Sequence, residues 1–383
     1  MILSDFTKTE IKKSPFIVRV TSDPHRPLTL RSKEALIIND KKTNDADGFC
    51  TYFTAFGSNI NKYNGQAVIE LPASLAYLSD GDIIAIDSRN KNLRVIYRKN
   101  AECNSLMVTA ACNNHCLMCS QPPQKIDDVI YYFAHEAIPL MDINSKEIIV
   151  TGGEPTLLGF KLIKILQRVK SYLPYTAVHM LSNGRLFKDL SFALSVAKVC
   201  LSDFVIGVPL YSDISEEHDY IVQANNAYDE TIQGLLNLAR CGINVELRIV
   251  ITQINAAWLF RIAQFIARNL PFACNVAFMG LEPTGFAKNN LSAVWIDPVD
   301  YDLQLNEAVQ ELKLHHIPVS IYNHQLCTLA PGLWNDARQS ISDWKNIFLA
   351  QCHNCIVRHR CCGFFASGNE IHSKAIQPLT SSK

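Results

Sequence analysis

Strand-like and helix-like segments alternate from about Leu106 to residue 322, and this alternation limits the possible folds more than any other feature. The strand-like segments are short apolar runs, most of which end in glycine or other small residues: LMVTA (106–110), KEIIVTGGEP (146–155), TAVHMLSNG (176–184), DFVIGVPLY (203–211), VELRIVIT (245–252), ACNVAFMGLEP (273–283) and IPVSIY (317–322). Strands that alternate with helices form parallel βαβ units, so the pattern predicts an α/β fold. In such folds the chemistry lies at the C-terminal ends of the strands.

Two of the intervening segments have a clear helical period. In GFKLIKILQRVK (159–170), apolar residues recur at helical spacing from Leu162 to Val169. In DETIQGLLNLARCG (229–242), the periodic pattern ends at Gly242, which we predict to be the C-cap. Both segments therefore suit the crossover helices of a parallel sheet.

The segments on either side of this core have a different character. Residues 1–100 contain short β-branched runs separated by turn residues, which predict a β-rich N-terminal domain, either a small barrel or a sandwich: QAVIEL (66–71), DIIAID (82–87) and LRVIYR (93–98). Residues 101–322 form the α/β core. Residues 323–383 have few periodic segments and many cysteines, so we expect a small extension that is organised by a metal group.

Composition narrows the possible partners and compartment. Thirty-six basic residues balance 36 acidic ones, which argues against nucleic acid as the main partner. The N-terminus MILSDFTKTE lacks a secretion-signal pattern, and no apolar run approaches the length of a membrane span. We therefore expect a cytoplasmic protein with no membrane partner. In that compartment, 13 cysteines are better explained as metal ligands or buried apolar residues than as disulfides.

Three cysteines lie close together in CNNHCLMC, directly after the first core strand: Cys112, Cys116 and Cys119. A cubane iron–sulfur cluster normally uses four thiolates, so three would leave one iron with an open position. An open position marks a reactive site rather than a structural one. The alternative is a zinc site with His115 as the fourth ligand, but His115 directly precedes Cys116, which is an unfavourable spacing.

The loop CNNHCLMC, preceded by LMVTA and followed later by TGGEP, resembles the signature of the radical S-adenosylmethionine (SAM) superfamily. The resemblance implies a partial (β/α)6-type barrel in which the three cysteines bind a [4Fe–4S] cluster and SAM chelates the fourth iron. It further implies that the reduced cluster splits SAM, and that the resulting radical abstracts a hydrogen atom from the substrate.

The same resemblance assigns cofactor-binding roles to residues at the strand ends. They are Gly152, Gly153 and Glu154 of GGEP near the SAM amino group, Met118 near the adenine, Ser182 and Asn183 of LSNG near the ribose, Tyr211 at the end of the fourth strand, and Glu282 of LEPTG near the adenine.

One expected residue is missing. The segment EEHDYI resembles a region of peptide-modifying relatives that commonly carries an arginine just beyond the His-Asp pair, where this chain has Ile221 and Val222. The SAM carboxylate therefore needs another partner, and Arg248, the lone cation in VELRIVIT, is our candidate. The alternative for Arg248 is a structural ion pair with Glu246 or another acid.

The remaining cysteines fall into two groups. A C-terminal set resembles the auxiliary-cluster extensions, of SPASM or twitch type, in radical SAM enzymes that act on peptides, and implies a second [4Fe–4S] cluster: Cys327, Cys352, Cys355 and Cys361. Cys362 could replace Cys361, and zinc is the alternative metal. Five isolated cysteines are predicted to be small buried apolar residues: Cys50, Cys103, Cys200, Cys241 and Cys274.

A more specific resemblance comes from the combination of CNNHCLMCSQPP, VTGGEPTL, LSNGRL, GVPLYSDISEEHDYIV and the ending QSISDWKN…CHNCIVRHRCCGFF. It resembles the C-type radical SAM maturase of the His-Xaa-Ser repeat system. This implies a ribosomally made His-Xaa-Ser repeat peptide as substrate, a second radical SAM protein as partner and an external electron donor. The alternatives are a radical SAM enzyme with another protein or small-molecule substrate, for instance an activase, and a non-catalytic subunit that presents peptide.

Overall fold

The computed structural model describes residues 3–11, 13–38, 46–58, 60, 62–63, 66–339 and 347–380. Of the quoted segment QSISDWKN, all residues after Gln339 lie outside this described part. The strands are β1 (Ser4–Phe6), β2 (Phe16–Thr21), β3 (Glu34–Ile37), β4 (Thr51–Thr54), β5 (Lys62–Tyr63), β6 (Gln66–Glu70), β7 (Ile83–Asp87), β8 (Asn92–Tyr97), β9 (Cys103–Thr109), β10 (Glu147–Gly152), β11 (Ala177–Leu181), β12 (Phe204–Pro209), β13 (Asn244–Val250), β14 (Asn275–Met279) and β15 (Val319–Tyr322).

The α-helices are α1 (Leu28–Arg31), α2 (Asp128–Ala137), α3 (Phe160–Tyr172), α4 (Leu190–Ala197), α5 (Ser215–Val222), α6 (Ala227–Arg240), α7 (Leu259–Asn269), α8 (Phe286–Asn289), α9 (Leu291–Val294) and α10 (Asp302–Leu314). In the described part of the C-terminal region after β15, the helical elements are short 3-10 turns, which agrees with the few periodic segments seen there. No helix in the described part of the chain is both long and apolar enough to cross a membrane.

The core sheet contains seven strands, β9 to β15, whose order in the sheet is their order in the chain. The pairs from β11 to β15 are parallel; for example, Gly207 of β12 pairs with Glu246 of β13. The predicted α/β fold with a parallel sheet is confirmed, and each of the seven predicted runs overlaps one of these strands.

Alternation along β13 shows why the two faces of this sheet differ. Val245, Leu247 and Ile249 are fully buried on the face against which α6 packs. Glu246 and Arg248 point to the opposite side, because successive side chains of a strand face opposite ways. We call this second side the inner face. On this face Arg248 lines a cavity.

The predicted crossover helices are also present. α3 covers the first periodic segment and α6 the second. Gly242 has φ +70° but lies one residue beyond the cap, which is Cys241. This left-handed conformation directly after a helix is the usual place for glycine, so the predicted cap position was wrong by one residue.

The N-terminal strands form one eight-stranded sheet in the order β1-β8-β7-β2-β3-β4-β6-β5, rather than the two sheets of a sandwich. Pairs among β2, β3, β4 and β6 are parallel, and the outer pairs are antiparallel. Alternate residues of its strands, such as Val18, Val20, Ile84 and Ile86, are buried in one apolar cluster.

The chain divides into two compact units. The first comprises Met1–Thr109, Asp127–Val150 and Lys164–Ala177, and it contains the eight-stranded sheet. The second comprises Ala110–Ile126, Thr151–Ile163 and Val178–Lys383, and it contains every cysteine of the two predicted clusters. The division into three domains at residues 100 and 322 stays a prediction.

Candidate active site at the strand ends

The three loop cysteines line one cavity in the second unit. Cys112, Cys116 and Cys119 are all partly buried, and the cavity they line has a volume of about 310 Å³. The strand ends of the inner face form the rest of its wall, so the site lies where a parallel α/β sheet usually places its chemistry.

The three sulfurs of the loop influence one another electrostatically. Burial, with a smaller contribution from the sulfurs of Cys119 and Cys112, raises the pKa of Cys116 to about 12. Burial also raises the pKa of Cys112 to about 11, and Cys119 contributes there too. In the described part of the chain, no group of three or more His, Cys, Asp or Glu side chains is arranged to hold a single metal ion. Three thiols around one cavity fit the corners of a [4Fe–4S] cluster, which spreads its ligands over several irons.

Backbone hydrogen bonds to the end of α5 fix the cysteine loop. The amides of His115 and Leu117 donate to the carbonyls of Val222 and Ile221, both at 3.0 Å. Ile221 and Val222 are fully buried in an apolar cluster with Met118. The two residues that replace the expected arginine therefore anchor the loop through packing and through their backbone. His115 is exposed and does not line the cavity.

Arg185, directly after the SNG turn, holds the same loop from another side. Its Nη1 donates to the carbonyl of Asn113 at 2.9 Å and to Oδ1 of Asn114 at 2.7 Å. Its Nε donates to Glu230 at 2.6 Å, which fixes the guanidinium. Sequence reasoning missed this residue, although its place in LSNGRL directly after two predicted site residues was a usable signal.

The GGEP turn packs so closely against the start of the cysteine loop that no side chain fits between them. A Cβ on Gly153 would lie less than 3 Å from backbone atoms of Ala110 and Ala111. The amide of Glu154 donates to the carbonyl of Ala111 at 2.7 Å. Only glycine allows this approach at position 153, so the turn and the loop fit each other through backbone atoms.

The Glu154 side chain accepts hydrogen bonds from two turns and has a structural role. It is fully buried, and its carboxylate accepts bonds from the Thr156 amide at 2.9 Å, the Ser182 hydroxyl at 2.8 Å and the Asn183 amide at 2.6 Å. Burial raises its pKa, whereas these bonds oppose that shift. The carboxylate thus joins the GGEP turn to the SNG turn, and it does not line the cavity.

Most of the predicted cofactor-binding residues do line the cavity with the three cysteines: Met118, Gly152, Gly153, Ser182, Asn183, Tyr211 and Arg248. Glu154 and Glu282 do not. Sequence reasoning missed several apolar strand-end residues of the same wall, and their alternate spacing along the strands was the signal that could have found them: Leu181, Pro209, Val250 and Met279.

Arg248 lies at the cavity and also forms the structural ion pair that was its alternative role. Its Nη1 donates to Glu246 at 2.7 Å, which is the structural ion pair considered as the alternative. Its Nη2 lies 3.3 Å from Sδ of Met279, a weak acceptor. The guanidinium also lines the cavity, so the ion pair does not remove it from the site.

The C-terminal cysteines also come together. The sulfurs of Cys361 and Cys352 contribute to the raised pKa of Cys327, and Cys361 and Cys355 contribute to that of Cys352; in both cases burial is the largest cause. The four predicted auxiliary ligands are therefore near enough to influence one another electrostatically, and their role as a ligand set stays a prediction. His353 and His359, which lie between these cysteines, are exposed.

The adjacent Cys361 and Cys362 have different environments. Cys362 is buried, and its thiol donates to the carbonyl of His324 at 3.1 Å. Contact with the Cys362 side chain, helped by backbone amides, lowers the pKa of Cys361 to about 6. Cys361 is therefore the better ligand of the two, because metals bind the thiolate.

The isolated cysteines follow the sequence prediction only in part. Cys103 is buried, and burial raises its pKa to about 12. Cys50 and Cys241 are partly buried. Cys200 and Cys274 are exposed, so the prediction was wrong for them. Each of these two lies in a turn next to a strand or helix end, where an apolar side chain need not face the core.

Comparison with known proteins gives one family. Residues 106–266 match the Radical SAM superfamily. A protein described as a probable GTP 3′,8-cyclase from Saccharolobus islandicus (strain Y.N.15.51 / Yellowstone #2) is 30% identical over 191 residues, which are 48% of this chain and 58% of that protein. The chain thus spans less than two thirds of the length of the curated relatives it matches.

Two solved structures that match part of the chain have low sequence identity to it. Streptococcus suis SuiB bound to S-adenosylmethionine is 16% identical with a TM-score of 0.48, over 64% of this chain and 55% of SuiB. Native anSMEcpe with bound AdoMet is 15% identical with a TM-score of 0.44, over 57% of this chain and 63% of that one. The parallel sheet and the family match together confirm the predicted partial radical SAM barrel.

Proposed function

We propose that this chain is a radical SAM enzyme that binds a [4Fe–4S] cluster and SAM at the strand-end cavity, because residues 106–266 match the Radical SAM superfamily. The observation that carries the proposal is the set of three partly buried loop cysteines around one cavity, with the glycine turn and Arg248 in the same wall. When bound, cluster and SAM supply reductive SAM cleavage and hydrogen-atom abstraction.

The chain's own residues position these groups. Cys112, Cys116 and Cys119 hold the cluster, and the backbone of the GGEP turn lies against the loop that carries them. Ser182 and Asn183 offer polar groups for the ribose, although the Ser182 hydroxyl already donates to Glu154 and so is available mainly as an acceptor.

Met118 and Tyr211 supply an apolar wall for the adenine. Arg248 offers its remaining donors to the SAM carboxylate. Glu154 has an indirect role, because it joins the GGEP turn to the SNG turn. Glu282 does not line the cavity, and its contact with the cofactor stays a prediction.

Metal analysis tests the assignment of the cluster. After anaerobic reconstitution, the wild type should bind about eight irons, and Cys112→Ala/Cys116→Ala/Cys119→Ala about four, with loss of SAM cleavage. Cys274→Ala, an exposed isolated cysteine, is the control and should match the wild type. Equal iron in the triple variant and the wild type would refute the assignment of the loop.

For the substrate, we propose a ribosomally made peptide with His-Xaa-Ser repeats, modified on its side chains. The support is the resemblance of the sequence motifs and the four C-terminal thiols, which suit an auxiliary [4Fe–4S] cluster of peptide-modifying enzymes. A second radical SAM protein and an external electron donor are part of this proposal.

A nucleotide is the second candidate substrate, because the curated relatives are described as probable GTP 3′,8-cyclases. Mass spectrometry of anaerobic reactions separates the two candidates. A mass change in a His-Xaa-Ser peptide, dependent on SAM and on the loop cysteines, supports the peptide. Conversion of GTP with an unchanged peptide would refute it.

A further inference from the structure

His218, the histidine of the EEHDYI motif, lies behind the cavity wall rather than in it. It belongs to α5, is 1% exposed and is not among the residues that line the cavity. A polar side chain as buried as this one is nearly always hydrogen-bonded to another part of the protein. The contacts of His218 therefore indicate what it contributes to the site.

His218 contacts one residue of the cavity wall, Tyr211, in two ways. The amide of Tyr211 donates to Nδ1 of His218 at 3.3 Å. The two rings also stack, with centroids 5.7 Å apart and an angle of 28° between their planes. Burial lowers the pKa of His218 to about 4, so the ring is neutral at pH 7 and Nδ1 is free to accept.

Two further side chains complete this arrangement. Nδ2 of Asn255, which is 1% exposed, donates to the carbonyl of Tyr211 at 3.2 Å and to that of Val250 at 3.1 Å. The ring of Tyr228 packs edge-on against His218, with centroids 5.8 Å apart. Because Tyr211 lies beyond the end of β12, side chains rather than a strand partner hold both of its backbone polar groups.

The helix that carries His218 also holds the cysteine loop. Ile221 and Val222, three and four residues after His218, accept the two backbone hydrogen bonds of that loop at 3.0 Å. Residues at this spacing lie about one helical turn apart, so a single turn of α5 contacts both the loop and Tyr211. The position of His218 therefore sets the distance between two walls of the cavity.

Tyr211 lies near the thiols that the other wall carries. Burial raises the pKa of Tyr211 well above its usual value, and the sulfurs of Cys116 and Cys119 add to this shift. Tyr211 also shares an apolar cluster with Met118 of the loop. A displacement of Tyr211 would therefore change the shape of the cavity beside the cysteines.

We propose that His218 is a positioning residue for SAM: it fixes Tyr211 relative to the cysteine loop, and it thereby sets the affinity of the cluster-loaded protein for SAM without touching SAM. The proposal rests on the proposed function, which places SAM in this cavity. A wall that is already fixed costs no ordering when the ligand binds, whereas a wall that can move must be ordered at the expense of affinity.

Equilibrium dialysis of radiolabelled SAM tests this on the full chain, reconstituted anaerobically and with the cluster kept oxidised so that SAM is not cleaved. His218→Phe keeps a ring but leaves the Tyr211 amide without its acceptor. We expect the Kd for SAM to rise about tenfold at unchanged iron content, the usual effect of losing a residue that orients a binding group. His218→Asn places an amide oxygen near the position of Nδ1 and should recover most of the affinity.

Two comparisons separate positioning from a general loss of stability. Leu305→Ala, at a fully buried residue of α10 that does not line the cavity, is the control and should keep the wild-type Kd. Tyr228→Leu removes the ring that packs against His218 from a half-buried position, and it should raise Kd about threefold. Thermal unfolding and iron content verify that each variant is folded and loaded.

A double-mutant cycle tests whether His218 acts through Tyr211. Tyr211→Ala removes the ring, and we expect His218→Phe to have little further effect on Kd in that background. Additive effects would overturn the inference, because His218 would then act on another part of the site. Wild-type Kd in folded His218→Phe and Tyr228→Leu would overturn it as well. Wild-type protein that carries the cluster but binds no SAM would instead refute the proposed function, and the inference with it.

Discussion

Arg185 connects two strand ends through a single side chain. It donates to Asn113 and Asn114 of the cysteine loop while Glu230 holds its Nε. We expect Arg185→Gln to loosen the loop and to lower the affinity for the cluster by roughly tenfold, the usual effect of losing a group that orients metal ligands. Iron retention against a chelator measures this.

Lys188→Gln is the matched control for Arg185. Lys188 pairs with the same Glu230 but is half exposed and does not donate to the loop, so its loss should leave iron retention unchanged. Equal iron retention in both variants would mean that Arg185 only balances the charge of Glu230.

The adjacent cysteines near the C-terminus allow an equally sharp comparison. Cys361 has the lowered pKa, whereas Cys362 is buried and donates to His324. We expect Cys361→Ala to lose about four irons and Cys362→Ala to keep them. A loss of about one zinc from Cys361→Ala, with iron unchanged, would make the site structural. Iron loss only in Cys362→Ala would reverse the assignment.

At the scale of elements, the GGEP turn after β10 is matched to the loop after β9. A methyl group on Gly153 has no space beside Ala110 and Ala111. We expect Gly153→Ala to destabilise the protein by roughly 1–3 kcal/mol, as overpacking does, and to reduce iron binding. Urea unfolding and iron analysis measure the two effects.

Gly332→Ala is the control for this turn. Gly332 has negative φ, and its added methyl group would meet no atom within 4 Å, so the expected change is within about 0.5 kcal/mol. A Gly153→Ala protein as stable and as iron-rich as Gly332→Ala would show that the turn can move away from the loop.

The period of apolar residues and the spacing of motif residues predicted these elements well, because both are properties of short stretches of sequence. Strand runs such as VELRIVIT and the spacing of Cys112, Cys116 and Cys119 can be recognised within a few residues. The contacts of Glu154 and Arg185 could not be predicted this way. Each joins segments far apart in the chain, and such pairings appear only when the strands are placed side by side.

At the scale of the whole molecule, overall charge has little influence on stability near neutrality. The formal net charge is +0 and the pI about 7.1, so self-repulsion is minimal at pH 7. Changes of stability with pH must therefore come from particular buried groups. Glu34 in the first unit is the clearest case, because it is nearly buried and pairs with Arg19 at 2.6 Å and Arg26 at 2.8 Å.

Burial alone would raise the pKa of Glu34, but the bonds from Arg26 and Arg19 outweigh it and lower the pKa. A carboxylate with a lowered folded-state pKa contributes stability above its unfolded pKa of about 4.3, and this is lost as the pH falls through the folded-state value. We expect Glu34→Gln to lower the free energy of unfolding at pH 7 by roughly 2 kcal/mol, with a smaller loss near pH 3. Glu102→Gln removes an ion pair with Lys146 that is largely exposed and should cost less than about 1 kcal/mol at either pH. Urea unfolding at both pH values measures the difference, and an equal loss at both would show that the carboxylate charge of Glu34 has no role in stability.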